Sequence, residues 1–195
     1  MNHYFINDPN DKNEYRNISF IFNGKEISLV TDRNTFSNRR LDPGTLVLMK
    51  VLASNDLKGS FLDLGCGYGP IGLTLKMFYP NLMVTLSDIN SRCIECTNIN
   101  KDKYSLDCET IVSDSFTNID KTFDTISLNS PISCGKEIIY KMYQGAKEHL
   151  NDGGCFYIVI RKDKGALSHM KYLSSLFQNV SVIYKEKGYY VILAK

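Results

Sequence analysis

The stretch Phe61-Leu-Asp-Leu-Gly-Cys-Gly-Tyr-Gly-Pro-Ile-Gly72 decides the fold. Strand-favouring residues lead into Asp63, glycines stand at 65, 67 and 69, and a largely apolar run from Ile71 to Leu75 opens a helix. The pattern is strand, tight turn, helix. Glycines suit such a turn because it must take positive φ and bring bare backbone against a ligand, while the helix N-terminus behind it offers unpaired N–H groups. A nucleotide-type cofactor site is the first expectation, although any α/β protein needs tight turns of this kind.

The acid before the glycines separates the possible cofactors. In a dinucleotide site the pyrophosphate sits on the helix N-terminus, and Asp63, two positions before Gly65, would repel it. S-adenosylmethionine carries an amino group and a sulfonium and has no phosphate, so a carboxylate at the strand end can hold its methionine part directly or through water. A methyl donor is therefore favoured over a nicotinamide cofactor. Asp88 follows at the end of the next strand-like run, Leu82–Leu86, about 20 positions beyond the turn, the spacing of an acid that accepts hydrogen bonds from ribose hydroxyls. Asp114 closes a third run, Glu109–Val112, on the same carboxyl edge, where its carboxylate could take the adenine amine or simply cap a loop.

Outward from the turn, strand and helix patterns alternate, which predicts a parallel sheet with helices on both faces. Helices are expected from Asp42-Pro43-Gly44, an N-cap with proline in the first turn, through Leu52, over Ser91–Lys101 and Glu137–Leu150, and over about Leu167–Phe177. Asn151-Asp152-Gly153-Gly154 is expected to close the third of these, and Cys155–Ile160 to form a strand buried on both faces. Val180–Lys185 and Tyr189–Leu193 predict a C-terminal antiparallel hairpin through Glu186-Lys187-Gly188. At the other end, Ile18–Phe22 and Glu26–Val30 flank Asn23-Gly24, a strong hairpin signal. The division expected is residues 1–35, an N-terminal segment with this hairpin, and 36–195, the catalytic domain.

Composition sets bounds. With 43% hydrophobic and 23% charged residues and a net charge of +2, the chain can bury one main core and has no global basic character, so a polyanion would have to meet local patches. No apolar run reaches membrane-span length and Met1–Asn10 has no signal-peptide core, which leads to the expectation of a soluble, cytoplasmic protein. The six cysteines include one C-x-x-C, Cys93 and Cys96, in a helix-like segment and no second pair at zinc spacing, so no metal is expected.

The fourth strand, Phe123–Leu128, ends in Asn129-Ser130-Pro131-Ile132. Such a turn falls where a doubly wound sheet reverses direction. The Asn129 amide oxygen and a backbone carbonyl of Ser130 or Pro131 can accept both hydrogens of an exocyclic base amine and stabilise positive charge as it develops. No strong general base is then needed, although His149 and His169 could approach in space. Taken alone, Asn-Ser-Pro reads equally well as a simple turn.

Asp63–Pro70, Asp88, Asp114 and Asn129–Ile132, with Phe36-Ser37, Leu41–Thr45, Gly135-Lys136 and Gly188–Tyr190, resemble the small-domain (MTS) family of class I S-adenosylmethionine-dependent methyltransferases, in particular single-domain relatives of 16S ribosomal RNA guanine-N2 methyltransferase C. The resemblance implies a Rossmann-like, seven-stranded and mostly parallel sheet. It implies S-adenosylmethionine held by Asp63, Gly65, Cys66, Gly67, Gly69, Asp88, Ile89, Asp114, Ser115 and Asn129, and a target amine oriented by Asn129, Ser130, Pro131 and Ile132. It further implies ribosomal RNA or the small ribosomal subunit as partner, met by Phe36, Arg39, Arg40, Lys136, Arg161 and Lys162, and a monomer or weak homodimer. Ser130 departs from the family's proline and Ile132 from the aromatic of the wider group, so base stacking would come from Phe36 or Phe116. Methylation of a protein glutamine amide and a non-catalytic ribosome-assembly role are the alternatives.

Overall fold

The computed structural model describes residues 14–33, 35, 39–129 and 134–195. Phe36, Ser130, Pro131 and Ile132 lie outside the described residues.

The main sheet forms because the predicted alternation of strand and helix is realised. Strands β3 (Ser60–Leu64), β4 (Met83–Asp88), β5 (Cys108–Val112), β6 (Phe123–Asn129) and β7 (Leu150–Arg161) run parallel, and β8 (Val180–Glu186) and β9 (Tyr189–Ala194) complete the sheet antiparallel, in the order β5-β4-β3-β6-β7-β9-β8. β4 and β5 build outward on one side of β3 and β6 and β7 on the other. The direction of winding therefore reverses between β3 and β6, and the crevice at the carboxyl ends of those strands is where such sheets bind ligands.

Alternation along the strands loads both faces. On one, α1 (Pro43–Ala53), α2 (Pro70–Phe78) and α3 (Ser91–Lys103) bury Leu48, Ile71 and Ile94 with Phe61, Leu86, Tyr157 and Val159. On the other, α4 (Lys136–Glu148) and α5 (Ala166–Leu176) bury Tyr143 and Leu173 with Leu62, Leu64, Phe156 and Ile158. Phe156 to Ile160 contributes alternately to the two cores, the arrangement expected of a strand covered on both sides.

The N-terminal hairpin, β1 (Tyr15–Phe22) and β2 (Lys25–Asp32), turns at Asn23 and Gly24 with φ of 46° and 76°, both positive as a two-residue hairpin turn requires. It forms its own sheet and docks on α3. Asn100 of α3, fully buried, accepts from the Val30 amide at 2.6 Å and donates to the Val30 carbonyl at 2.8 Å, while the Tyr104 hydroxyl bonds both Ser28 backbone groups at 2.9 and 3.0 Å.

One expectation is overturned. Asn151–Gly154 does not close α4, which ends in His149, whose amide donates to the Gly145 carbonyl. The segment belongs to β7, where Leu150 pairs with Phe123 and Cys155 with Thr125, so the intervening residues bulge from the ladder. Asn151 is held there by Asp124, to which it donates at 2.7 Å, a tertiary contact that overrides the helix-ending character of the two glycines.

Candidate active site

The glycine turn leaves β3 with Gly65, Gly67 and Gly69 at φ of 68°, 59° and 86°, a left-handed path that side chains resist. Its carboxylates lock it. Asp88 accepts from the Gly67 amide and the Asn90 amide, each at 2.9 Å, and Asp63 accepts from the Gly72 amide at 2.9 Å and the Ser127 hydroxyl at 3.2 Å. Thr97 and Asn100 of α3 donate to the Gly67 and Tyr68 carbonyls at 3.0 Å each. Burial pushes the Asp63 carboxyl up to about 7 and raises Asp88 above the ordinary carboxylate range, against the hydrogen bonds that lower both.

A cavity of about 1240 Å³ opens at this edge and takes in both the turn and the end of β6. It brings together Gly65, Cys66, Gly67, Asp88, Ile89, Asp114, Ser115, Asn129 and Arg161 of the residues expected from the sequence. Asp63 and Gly69 are not among its walls. Asp63 is 1% exposed and faces the first turn of α2, and Gly69 is the N-cap of that helix, so both shape the turn from behind. Cys66 is buried, and burial holds its thiol well above the ordinary range, so it lines the cavity as a small neutral group.

Phe116 lies on the Asp114 side of the cavity, stacked on His149 with ring centroids 4.4 Å apart. It reaches that position across Gly145, where a Cβ would come within 2.4 Å of the Phe116 ring. His149 reaches the cavity as the sequence allowed, but its ring nitrogens face the carbonyls of Gly145 and Ile119 at 2.8 and 3.0 Å. His169 is buried against the Tyr143 hydroxyl at 3.0 Å and is not a wall of the cavity.

The sequence reading missed Asp42, Thr45, Tyr68 and Ser87 as walls of this cavity. Asp42 caps α1, accepting from the Thr45 amide at 2.9 Å, and its Oδ2 also accepts from Asn129 Nδ2 at 3.0 Å. Asn129 Nδ2 donates in addition to Thr45 Oγ1 at 2.9 Å. A carboxylate only accepts, so the amide must present its NH2 group to Asp42 and turn its oxygen the other way. The N-cap pattern and the family-like Leu41–Thr45 stretch were the signals available for Asp42. Nothing in the spacing pointed it at Asn129.

Two hydroxyls test whether this cavity fits a polar ligand. Tyr68 Oη and Ser87 Oγ are buried without a hydrogen-bond partner among the described residues, an uncommon condition for polar atoms in a protein interior. Burial, reinforced by the Asp42 charge, keeps the Tyr68 phenol protonated and so able to donate. The Gly67 Cα side is open, with nothing within 4 Å of a Cβ built there. Bare backbone, two carboxylates, two orphan hydroxyls and an aromatic wall suit an adenosyl amino-acid ligand such as S-adenosylmethionine.

The expected basic clusters are only partly assembled. Arg39, Arg40, Lys136 and Lys162 are exposed. Arg161 at the cavity rim is engaged by Asp163 through two hydrogen bonds of 3.0 and 2.8 Å, and Arg33 is bonded to Glu14 at 3.1 Å, so neither stands as an uncompensated cation. Among the described residues no three metal-ligating side chains converge, and no helix is long and apolar enough to cross a membrane.

A sheet in this order, with its glycine turn and cavity at the reversal of winding, is that of a Rossmann-like methyltransferase. The chain belongs to the methyltransferase small domain family, whose model matches residues 26–193. It is 36% identical to the Bacillus subtilis protein named Uncharacterized protein YbxB, over 99% of this chain and 98% of that one. It is 35% identical to ribosomal RNA small subunit methyltransferase C of Actinobacillus pleuropneumoniae serotype 7, over 82% of this chain and 49% of the relative. The fold matches a T. thermophilus 16S rRNA N2 methyltransferase in complex with AdoMet and guanosine, with a TM-score of 0.83 and 23% identity, over 93% of this chain and 50% of that one. The chain thus spans about half the length of the methyltransferase C proteins it matches.

Proposed function

We propose that this methyltransferase, with S-adenosylmethionine as donor, methylates the exocyclic N2 amine of a guanine in 16S ribosomal RNA. The observation that carries the reading is Asn129, whose amide is fixed at the switch point with its hydrogens on Asp42 and Thr45, which leaves its oxygen turned away from both and without a partner among the described residues. The names of the methyltransferase C relatives and the guanosine of the T. thermophilus structure support the choice of target.

The donor supplies a methyl group on a sulfonium. The Gly65–Gly67 backbone and Asp88 would hold its nucleoside part, with Asp88 toward the ribose and Asp114 toward the adenine, while Tyr68 and Ser87 gain the partners they lack. The target amine is a weak nucleophile because its lone pair is delocalised into the ring. An acceptor oxygen on Asn129, together with a carbonyl of Ser130 or Pro131, takes its two hydrogens, aims the nitrogen at the methyl carbon and opposes the positive charge that forms on it. Bound there, S-adenosylmethionine would supply the methyl group and keep the C–S bonding pair as a thioether, and the target nitrogen, acidic once methylated, would release one proton to water. Arg39, Arg40, Lys136, Arg161 and Lys162 are proposed phosphate contacts, with Arg161 exchanging Asp163 for a phosphate.

Small ribosomal subunits and naked 16S RNA from a strain lacking the gene, incubated with the protein and tritiated S-adenosylmethionine, test the reading. Label recovered as N2-methylguanosine after nucleoside digestion is the expected result. Label confined to protein would overturn it in favour of amide methylation, and cofactor binding with no label in either would point to an assembly role.

A further inference from the structure

We infer that Asp42 is a positioning residue for methyl transfer: it sets the orientation of the Asn129 amide so that the oxygen, and not the nitrogen, faces the acceptor amine. The inference rests on the function proposed above. An asparagine amide is nearly symmetric in shape, and its two orientations have opposite chemistry. With the oxygen inward it accepts hydrogen from an amine, and with the NH2 inward it repels the same amine. Something must break the symmetry. The described residues offer two partners to the amide nitrogen, Asp42 Oδ2 at 3.0 Å and Thr45 Oγ1 at 2.9 Å. Asp42 can only accept. Thr45 can do either, but its hydroxyl lies 3.5 Å from the same Asp42 oxygen, which draws the hydroxyl proton and leaves the oxygen lone pairs toward Asn129. Both amide hydrogens are therefore taken up by an arrangement that Asp42 alone makes one-directional.

The fold holds Asp42 still for this task. It is the N-cap of α1, accepting from the Thr45 amide at 2.9 Å, and the proline that follows fixes the entry to the helix. The Tyr189 ring lies against Gly44, where a Cβ would meet it at 2.8 Å. The helix start is thus packed against β9 at the carboxyl edge of the sheet, and its carboxylate cannot swing away without uncapping α1.

Two substitutions test the inference. The Asp42 Oδ2 that accepts from Asn129 is also the atom that caps Thr45, so Asp42→Ser, which keeps a good cap residue but is too short to reach the amide, removes the bias on Asn129. kcat is expected to fall by about 10-fold or more while cofactor affinity stays within about 3-fold. Asn129→Asp alone sets two carboxylates face to face and is expected to cost about 100-fold. Combining the two removes that repulsion and leaves at 129 a carboxylate that needs no orienting, and is expected to recover at least about 10-fold over Asn129→Asp alone. A purely structural role for Asp42 predicts no recovery, so a folded, cofactor-binding double variant no better than Asn129→Asp would overturn the inference. The readout independent of turnover is the 15N side-chain amide of Asn129. Its two protons should be resolved and slow to exchange in the wild type and faster in Asp42→Ser, and exchange in the wild type at the rate of an exposed asparagine would also overturn it. Should the wild type methylate no ribosomal RNA, the proposed target falls and the amide measurement still decides the role of Asp42.

Discussion

The two ends of the cavity are fastened differently. At the glycine turn most bonds join residues closer in the chain, Asp63 to Gly72 nine apart, Asp88 to Gly67 21, Thr97 to Gly67 30 and Asn100 to Tyr68 32, with a further bond to Asp63 from Ser127, 64 away. At the end of β6 the bonds reach from Asn129 to Asp42 and Thr45, 87 and 84 residues away. The first end is built mainly by the consecutive stretch from β3 to α3 and the second by the closing of the whole sheet. A site that must hold a common donor and a particular acceptor can keep the donor end constant and vary the acceptor end through residues that are remote in sequence.

Substitutions that separate the two ends sharpen the comparison. Asn129→Ala is expected to have the largest effect, a fall in kcat of about 100-fold or more with cofactor affinity changed by less than about 3-fold. Single-turnover methyl transfer and calorimetry on the same preparation measure the two, and a parallel loss of affinity would merge the ends. Asp88→Ala should do the reverse, weakening cofactor binding by about 10-fold or more, because the Gly67 and Asn90 amides lose their acceptor as well. Unchanged affinity would remove the ribose contact from Asp88. Gly145→Ala acts from the side: its new methyl group collides with Phe116, and displacement of that ring should weaken cofactor binding by about 3- to 10-fold with little effect on the rate at saturation.

A further effect is one of pH, read on stability and not on turnover. Asp63 is raised from an ordinary 3.8 to about 7 in the folded chain, so folding favours its protonated form. The stability this gives is complete below the unfolded value and is lost as pH rises through about 7. Tm should therefore decline across that window in the wild type and decline less in Asp63→Asn, which carries no proton to lose, as thermal denaturation at a series of pH values would show. Identical profiles would mean that the proton on Asp63 does not differ between the folded and unfolded chain.

Legibility followed the same division. Asp63, Gly65, Gly67 and Asp88 were readable because strand, turn and helix follow one another within a short stretch, and Asn129 was readable as the end of a strand. The parallel sheet followed from alternation and both hairpins from the turns at Asn23-Gly24 and Lys187-Gly188, all four residues having positive φ, while the count of seven strands came from the family resemblance. Asp42 read as a helix cap and as part of the family-like Leu41–Thr45 stretch but not as a wall of the site, since nothing local reveals where a cap points once the sheet has formed. Asn151–Gly154 misled for a related reason. Two glycines after a helix signal a stop, and only the contact with Asp124 makes them part of a strand. Arg161 read as a candidate RNA contact, and nothing in the spacing announced that the side chain of Asp163, two residues on, would bond it.

The docking of the hairpin on α3 has a consequence for how the molecule behaves among its own copies. A two-stranded ribbon leaves an outer row of amides and carbonyls that can recruit a strand from another chain, and natural sheets guard such rows. On β2 the row is closed from within: the Asn100 amide imitates a neighbouring strand at Val30, and the Tyr104 phenol does so at Ser28. A helix has lent two side chains to act as a third strand, and an intruding chain would have to displace both before it could begin to aggregate along that edge.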